Sequence, residues 1–422
     1  MRATGPSDEG LRPSKPRRVL RPATFQALAH RNFRLLWGGL AVSAVGTWMQ
    51  IVSQSLLVLD ITHGSAAALG TVSLAQAASF LLFAALGGGA ADRFDKRRLL
   101  LVTQGLMMSF AILLGVLTVT GAIRFWMILA VSFAGSAVLS FDQPARNALI
   151  TSLVPKEKLM NAVSLQAAVF NGASILGPPL AGLTLTRIGY AGNFFLNGAS
   201  FFAVLAALLL LRFTGPEPAK PDRRLLDSVR EALAYVRSDA VLPSVILAYG
   251  ALLFFGPSTA LALPVFTKDI LHAGPAQLGI LFSAAGGGTV IGALIIASLG
   301  DFPHKARLVF GSILLWAASL AAFGSSASML VAVPMLFVMG AAQNAAGTTA
   351  ITLLQTRVPP EMRGRAMSLN TLLIMCVRPL GDFPTGTIIS RFGFRPALLL
   401  GAVLVGAASL WVAVTPAARR RR

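Results

Sequence analysis

Residues 161–189 read NAVSLQAAVFNGASILGPPLAGLTLTRIG, and residues 365–393 read RAMSLNTLLIMCVRPLGDFPTGTIISRFG. Set 204 positions apart, the two stretches keep one register. Asn161-Ala162-Val163-Ser164-Leu165 falls on Arg365-Ala366-Met367-Ser368-Leu369, Gly177 on Gly381, Gly182 on Gly386, Arg187 on Arg391 and Gly189 on Gly393. Upstream, Val154-Pro155 falls on Val358-Pro359. Chance likeness between apolar runs would match hydrophobicity but not the places of arginine and glycine. The chain is therefore an internal duplication of two parallel repeats, an arrangement that in membrane proteins points to a transporter with its site between the halves.

Each copy of the stretch is long and apolar enough to cross a bilayer, whose core of about 30 Å takes roughly 20 residues as a helix. Twelve such runs are found, at approximately 33–58, 66–91, 99–120, 125–147, 160–185, 191–212, 241–267, 276–299, 307–326, 328–351, 367–390 and 396–415. The expected fold is all-α: twelve transmembrane helices in two six-helix pseudo-repeats. Five segments follow: a basic tail at 1–32, a six-helix bundle at 33–212, a linker at 213–240, a second six-helix bundle at 241–415 and a basic tail at 416–422. In the linker, Pro216, Pro218 and Pro221 break any helix. Beyond them Leu225, Leu226, Val229, Leu233 and Val236 recur at helical spacing among Arg230, Glu231 and Arg237, which predicts an amphipathic helix along the membrane surface.

Composition agrees. Of 422 residues 55% are hydrophobic and only 12% charged, against about 25% charged in a soluble globular protein. A net charge of +20 raises nucleic acid as a partner, but the basic residues sit in short loops and form no basic domain. With the N-terminus inside, 30 of the 36 Lys and Arg fall on the inner side and 5 on the outer, with Arg378 inside a span. That asymmetry places both termini in the cytoplasm of a plasma (inner) membrane. The single Cys376 excludes a disulfide framework, and His30, His63, His272 and His304 have no metal-ligand spacing. No phosphate-cradling loop and no nucleophile–base constellation stands out, so neither ATP drive, a cofactor nor an enzyme is expected. The expected partners are a small-molecule substrate, protons and membrane lipids, with the chain a monomer.

The loop after the second run reads Gly88-Gly89-Ala90-Ala91-Asp92-Arg93-Phe94-Asp95-Lys96-Arg97-Arg98. It resembles the G-x-x-x-D-R-x-G-R-R signature of the major facilitator superfamily, with Asp95 where the family has Gly. The resemblance implies a gating motif in which Gly88 packs closely on a neighbour, Asp92 faces a helix dipole of the other half, and Arg93 and Arg97 belong to the basic run. Gly300-Asp301 opens its counterpart in the second half. Gly177-Pro178-Pro179-Leu180-Ala181-Gly182 resembles the core of the superfamily's antiporter motif. The stretches around Arg31-Asn32-Phe33-Arg34 and Asp142-Gln143-Pro144-Ala145-Arg146 resemble the branch that holds enterobactin exporters and macrolide efflux proteins. Membership of that branch implies a proton-driven exporter of siderophores, drugs or secondary metabolites.

Charges within spans are costly, at about 2.5–3.5 kcal/mol each on insertion scales. Asp382 is the deepest of 16 acids and lies one helical turn beyond Arg378. The two form either a self-neutralising packing pair or a proton- or substrate-responsive one. Asp142 and Arg146 close the fourth span, and Asp142 is expected to latch onto Arg93 when the protein faces outward. Gln50, Gln54, Asn171, Gln343 and Asn344 are polar within apolar runs, as substrate contacts or as interhelical bonds. A facilitator without proton coupling, or a non-transporting sensor, uses the same features.

Overall fold

The computed structural model describes residues 23–211, 225–300, 302–359 and 362–414, and these are helical without a strand. Most of the N-terminal tail, the C-terminal tail, the proline-containing part of the linker and Asp301 lie outside the described residues.

Among the described residues, eleven helical stretches are long and apolar enough to cross a membrane. They begin with α1 (Arg31–Ile61), α2 (Ala66–Arg93), α3 (Lys96–Val119) and α4 (Phe125–Leu153). The next, α5 (Leu159–Leu210), has 52 residues. Straight, it would be about 78 Å long, more than twice a bilayer core. It turns back at Gly189, whose φ of 66° and ψ of −173° suit a residue without a Cβ. Past that corner Asn193 donates to the Ala181 carbonyl at 3.2 Å and accepts from the Thr184 hydroxyl, contacts that a straight helix forbids. So α5 makes two passes, and twelve passes result. Gly393, the duplicate of Gly189, turns the chain at φ 88° between α13 (Arg378–Phe392) and α14 (Phe394–Val414).

Two passes of the second half are interrupted where hydropathy alone predicts unbroken runs. The seventh divides into α7 (Leu242–Phe255) and α8 (Thr259–Val265), followed by a wide π turn at Phe266–Ile270. Gly256-Pro257 makes the break, and Ser258 caps α8 by accepting from the Leu261 N–H at 3.2 Å. The eleventh divides into α12 (Arg363–Leu372) and α13, joined by a π turn at Leu373–Val377. Pro379 accounts for it: proline has no N–H for the carbonyl four residues back, and its ring displaces that carbonyl. The remaining passes are α9 (Pro275–Leu299), α10 (Lys305–Ser325) and α11 (Met329–Arg357).

The amphipathic helix expected in the linker is α6 (Leu225–Ser238). It rests on the second half: Glu231 pairs with Arg365, the Tyr235 hydroxyl donates to the Arg357 carbonyl at 3.1 Å, and Val236 is buried. The turns at 94–95, 154–158, 302–304 and 358–359 share one face with α6, here called the basic end. The turns at 62–65, Gly189, 271–274 and Gly393 form the far end.

Among the described residues, four glycines bring the halves together at under 3 Å, in two crossings related by the duplication. In the first, a Cβ on Gly70 of α2 would lie 2.7 Å from the Asp382 carbonyl oxygen, and one on Gly386 would lie 2.5 Å from that of Ala66. In the second, a Cβ on Gly279 of α9 would lie 2.8 Å from Pro179 Cα, and one on Gly182 would lie 2.5 Å from the Pro275 carbonyl oxygen. Within each half the earlier glycine of the repeat packs on the first pass of its own bundle: Gly177 meets Trp48 and Val45 of α1, and Gly381 meets Phe254 of α7. Backbones approach this closely only where no side chain intervenes. Both crossings lie toward the far end, and no glycine crossing joins the halves near the basic end among the described residues.

The close packing expected at Gly88 falls one residue earlier. A Cβ on Gly87 would lie 2.0 Å from the Ser140 carbonyl oxygen of α4, whereas Gly88 and Gly89 meet nothing within 4 Å. One residue is 100° of rotation on a helix, enough to carry a glycine from a packed face to an open one.

Candidate functional site

Asp382 lies at the first crossing. The residue is 2% exposed. One oxygen accepts from the backbone N–H of Ser258 at 2.8 Å, and the other from the Ser73 hydroxyl at 3.1 Å. The Ser258 N–H is free because Gly256-Pro257 breaks the seventh pass and begins a new helix there. Ser73 belongs to α2, so one carboxylate ties together the two halves and the broken pass. Of the two readings of the Arg378–Asp382 pair, the self-neutralising one finds no direct contact: the two are not within ion-pair distance among the described residues. Arg378 instead donates through Nη2 to Gln343 Oε1 at 3.1 Å, and its Nε is buried without a partner.

At the far end, Asp60 closes α1 and accepts from Lys268 Nζ at 2.9 Å and from the Tyr190 hydroxyl. Lys268 sits in the π turn of the second half, so this ion pair also spans the halves. Asp60, Lys268 and Tyr190 were not among the sequence candidates, nor were Ser73 and Ser258. The signal for two of them was present: an acid ends the first apolar run, and Lys268 is one of five basic residues on the sparse side.

Halfway between the ends, Trp48 of α1 stands with Phe170 of α5 and Phe282 of α9, at ring-centroid distances of 5.8 and 6.5 Å. Its Nε1–H is buried without a partner. Most polar candidates of the first half are bonded across helices. Gln50 accepts from Asn197 at 2.6 Å and Gln54 donates to Ser132 at 2.9 Å. Asn193 donates to Ser53 at 2.8 Å. Asn171 makes no side-chain hydrogen bond among the described residues, and Asn344 accepts a long bond of 3.3 Å from Thr348.

The motif residues at the basic end divide into two groups. Asp92 and Arg93 are exposed. Arg97 caps the last turn of α5, donating to the carbonyls of Leu208 at 2.6 Å and Leu209 at 2.9 Å, where a cation also meets the negative end of the helix dipole. Asp142 is buried and saturated by other groups than Arg93. It accepts from Thr103 at 2.9 Å and Gln104 at 2.7 Å and pairs with Arg146 at 3.3 Å. Its face of α4 is turned to α3, so the latch to Arg93 is not formed in this conformation.

Outside the spans, Asp239 anchors the start of α7. Partial burial works against its charge, but the N–H groups of Leu242 and Val241 and the Arg357 guanidinium outweigh it and hold its pKa below the ordinary carboxylate value.

The family described as transmembrane secretion effector matches residues 22–419. Macrolide efflux protein A of Streptococcus pyogenes is 23% identical over 382 residues, 89% of this chain and 93% of that protein. Enterobactin exporter EntS of Citrobacter koseri is 26% identical over 345 residues, 81% of each. Among solved structures, a bacterial homologue of the human lysosomal transporter Spinster, inward-facing and occupied, shares the fold. Its TM-score is 0.74 at 15% identity, covering 92% of this chain and 97% of that one.

Proposed function

The chain belongs to the transmembrane secretion effector family of the major facilitator superfamily, on its efflux branch, and is a multi-pass membrane transporter; from that premise we propose that it exports a small amphipathic compound in exchange for protons, by alternating access. The cargo class is a siderophore, a drug or a secondary metabolite. The membrane is the plasma (inner) membrane, with both termini cytoplasmic and the basic end inside, which rests on the distribution of Lys and Arg. The bundles at 33–212 and 241–415 are the two rocking bodies, and 213–240 is the tether between them.

The observation that carries the proton part is the position of Asp382 on a seam between the halves, holding Ser73 on one side and the Ser258 N–H on the other. An ionised carboxylate is a strong acceptor for both donors. With a proton on it, the negative charge is gone and one oxygen becomes a donor, so the seam loosens. Exchange follows from one rule. The empty, ionised carrier stays shut at the far end, while a carrier with a proton on Asp382, or with cargo seated, can rearrange. A locked empty carrier does not dissipate the gradient.

Alternating access supplies the rest. The glycine crossings and the Asp60–Lys268 pair hold the far end together in this conformation, and cargo enters from the basic end. The aromatic cluster of Trp48, Phe170 and Phe282 offers an apolar wall with one indole N–H to spare, which suits an amphipathic molecule. When the halves rock, Asp92, Arg93, Gly88 and Gly89 are free to meet the second half, and Asp142 with Arg146 supports that gate.

Everted vesicles test the reading. An acid-inside proton gradient should drive uptake of one or more members of a panel of siderophores, macrolides and dyes. Asp382→Asn should bind that compound and lose the response to the gradient. Uptake that ignores the gradient and survives the substitution would instead make this chain a facilitator.

A further inference from the structure

We infer that Arg378 and Gln343 form the recognition site for an organic carboxylate, so that the exported compound carries an anionic group that docks there; this rests on the exporter reading and specifies its cargo. The argument begins with depth. Arg378 starts the second 15 residues of the 30-residue span Arg363–Phe392. Gln343 is the middle residue of the 29-residue α11. The two meet at mid-membrane level, where a cation is most costly to hold and is retained only for a reason.

That cation makes no direct contact with an anion among the described residues. Asp382 lies on the same helix one turn on, but both of its oxygens are turned to Ser258 and Ser73, and no carboxylate lies within ion-pair distance of Arg378 among the described residues. A guanidinium presents five N–H donors in a flat fork. One of them reaches Gln343 Oε1, and the Nε–H is buried and unpartnered. Gln343 directs its carbonyl to the arginine, and its amide N–H2 makes no other hydrogen bond among the described residues, so it adds donors at the same place. Tyr249 of α7 is close enough to feel the arginine's charge, and its hydroxyl occupies the space beside Gly347 of α11. Side chains of α7, α11 and α13 thus converge around a surplus of donors and a cation that no carboxylate contacts directly among the described residues.

A planar carboxylate matches such a fork with two parallel bonds. The π turn at 373–377 that ends at Arg378 sets its direction, because the bulge rotates α13 relative to α12. The equivalent residue in the first half is Ser174, which lies against Gly286 of α9. The duplication therefore does not explain the arginine. Export of an anion against inward protons also moves positive charge inward on both legs, so an inside-negative potential would favour it.

The test uses benzoate, its neutral analogue benzamide and the arginine reagent phenylglyoxal on the full-length protein in nanodiscs. Labelling of Arg378 is read by peptide mass spectrometry, with the exposed Arg391 as internal control. Benzoate should slow labelling of Arg378 several-fold and leave Arg391 unchanged, and benzamide should protect neither. Arg378→Lys, which keeps the charge and loses the fork, should weaken calorimetric benzoate binding about tenfold while its melting temperature stays close to wild type. Equal protection by benzamide, no protection by tens of millimolar benzoate, or undiminished binding by the lysine variant would overturn the site. The exporter reading fails separately: vesicles that accumulate no panel compound while benzoate still protects Arg378 would leave the site standing and remove the transport. Conversely, vesicles in which Arg378→Gln exports every anionic panel compound at the wild-type rate would remove the site and leave the exporter.

Discussion

The fifth and the eleventh passes are copies of one another, and they differ where it matters. Both present glycine to their own first pass, at 177 and 381, and glycine to the opposite half, at 182 and 386. Both carry their backbone against a glycine of the partner helix, Gly279 in one crossing and Gly70 in the other. The side chains have diverged: Pro178 corresponds to Asp382, and Ser174 to Arg378. The backbone contacts are symmetric, as the two matched pivots of the proposed rocking require. The charges are asymmetric, so the proposed proton and cargo chemistry sits in one copy only.

Breaking the symmetric part should have the largest effect. Gly70→Val and Gly279→Val each place side-chain atoms against partner backbone that already lies under 3 Å from a Cβ. Each should reduce transport by about a hundredfold or more and populate a far-end-open form, since small residues are what permit such crossings. Labelling of a far-end cysteine, in a chain with Cys376 replaced, measures the opening. Equal effects at the two glycines would support matched pivots, and an effect at one alone would end the comparison.

Altering the asymmetric part separates the copies. Asp382→Asn should abolish gradient-driven uptake at least tenfold, in line with its two charge-assisted bonds, whereas Pro178→Ala should leave the response to the gradient intact. Vesicle uptake with and without an uncoupler reads both.

The far-end ion pair should matter less. Asp60 and Lys268 are roughly half exposed, and such pairs contribute about 1 kcal/mol or less. Asp60→Asn or Lys268→Ala should raise far-end opening by a few-fold, and the double reversal Asp60→Lys with Lys268→Asp should restore it. Double electron–electron resonance between spin labels across the far end would show either outcome.

The smallest effect concerns α6. The folded pKa of Asp239 lies below its ordinary value, so its contribution is complete above the carboxylate range and is lost as pH falls through the folded pKa. Hydrogen exchange in α6 and the first turn of α7 should quicken only on strong acidification, and Asp239→Asn should remove that dependence.

Much of this was legible in the chain. Hydropathy and length located the passes, because a bilayer imposes a fixed span on any helix. The register of the repeat located Gly177, Gly182, Gly381 and Gly386 as equivalents before any contact was known. The tight glycine of the gating loop was misplaced by one residue, at Gly88 instead of Gly87, because sequence carries no rotation angle for a helix. Gln50 and Gln54 could be read from sequence as cargo contacts or as interhelical bonds, and their bonds to Asn197 and Ser132 are of the second kind. The break at Gly256-Pro257 was visible as residues, but its consequence was not. A free N–H at Ser258 acquires meaning only when Asp382, 124 positions away, is brought to it.

By itself, then, the sequence determined that this protein crosses a membrane about twelve times in two related halves, since burial in hydrocarbon and helix length act locally along the chain. The tertiary structure alone decided which carboxylates join the halves, which side chain Arg378 meets and which glycines bear the crossings. Those facts depend on how helices are rotated and where distant passes meet, and no local property of the chain encodes either.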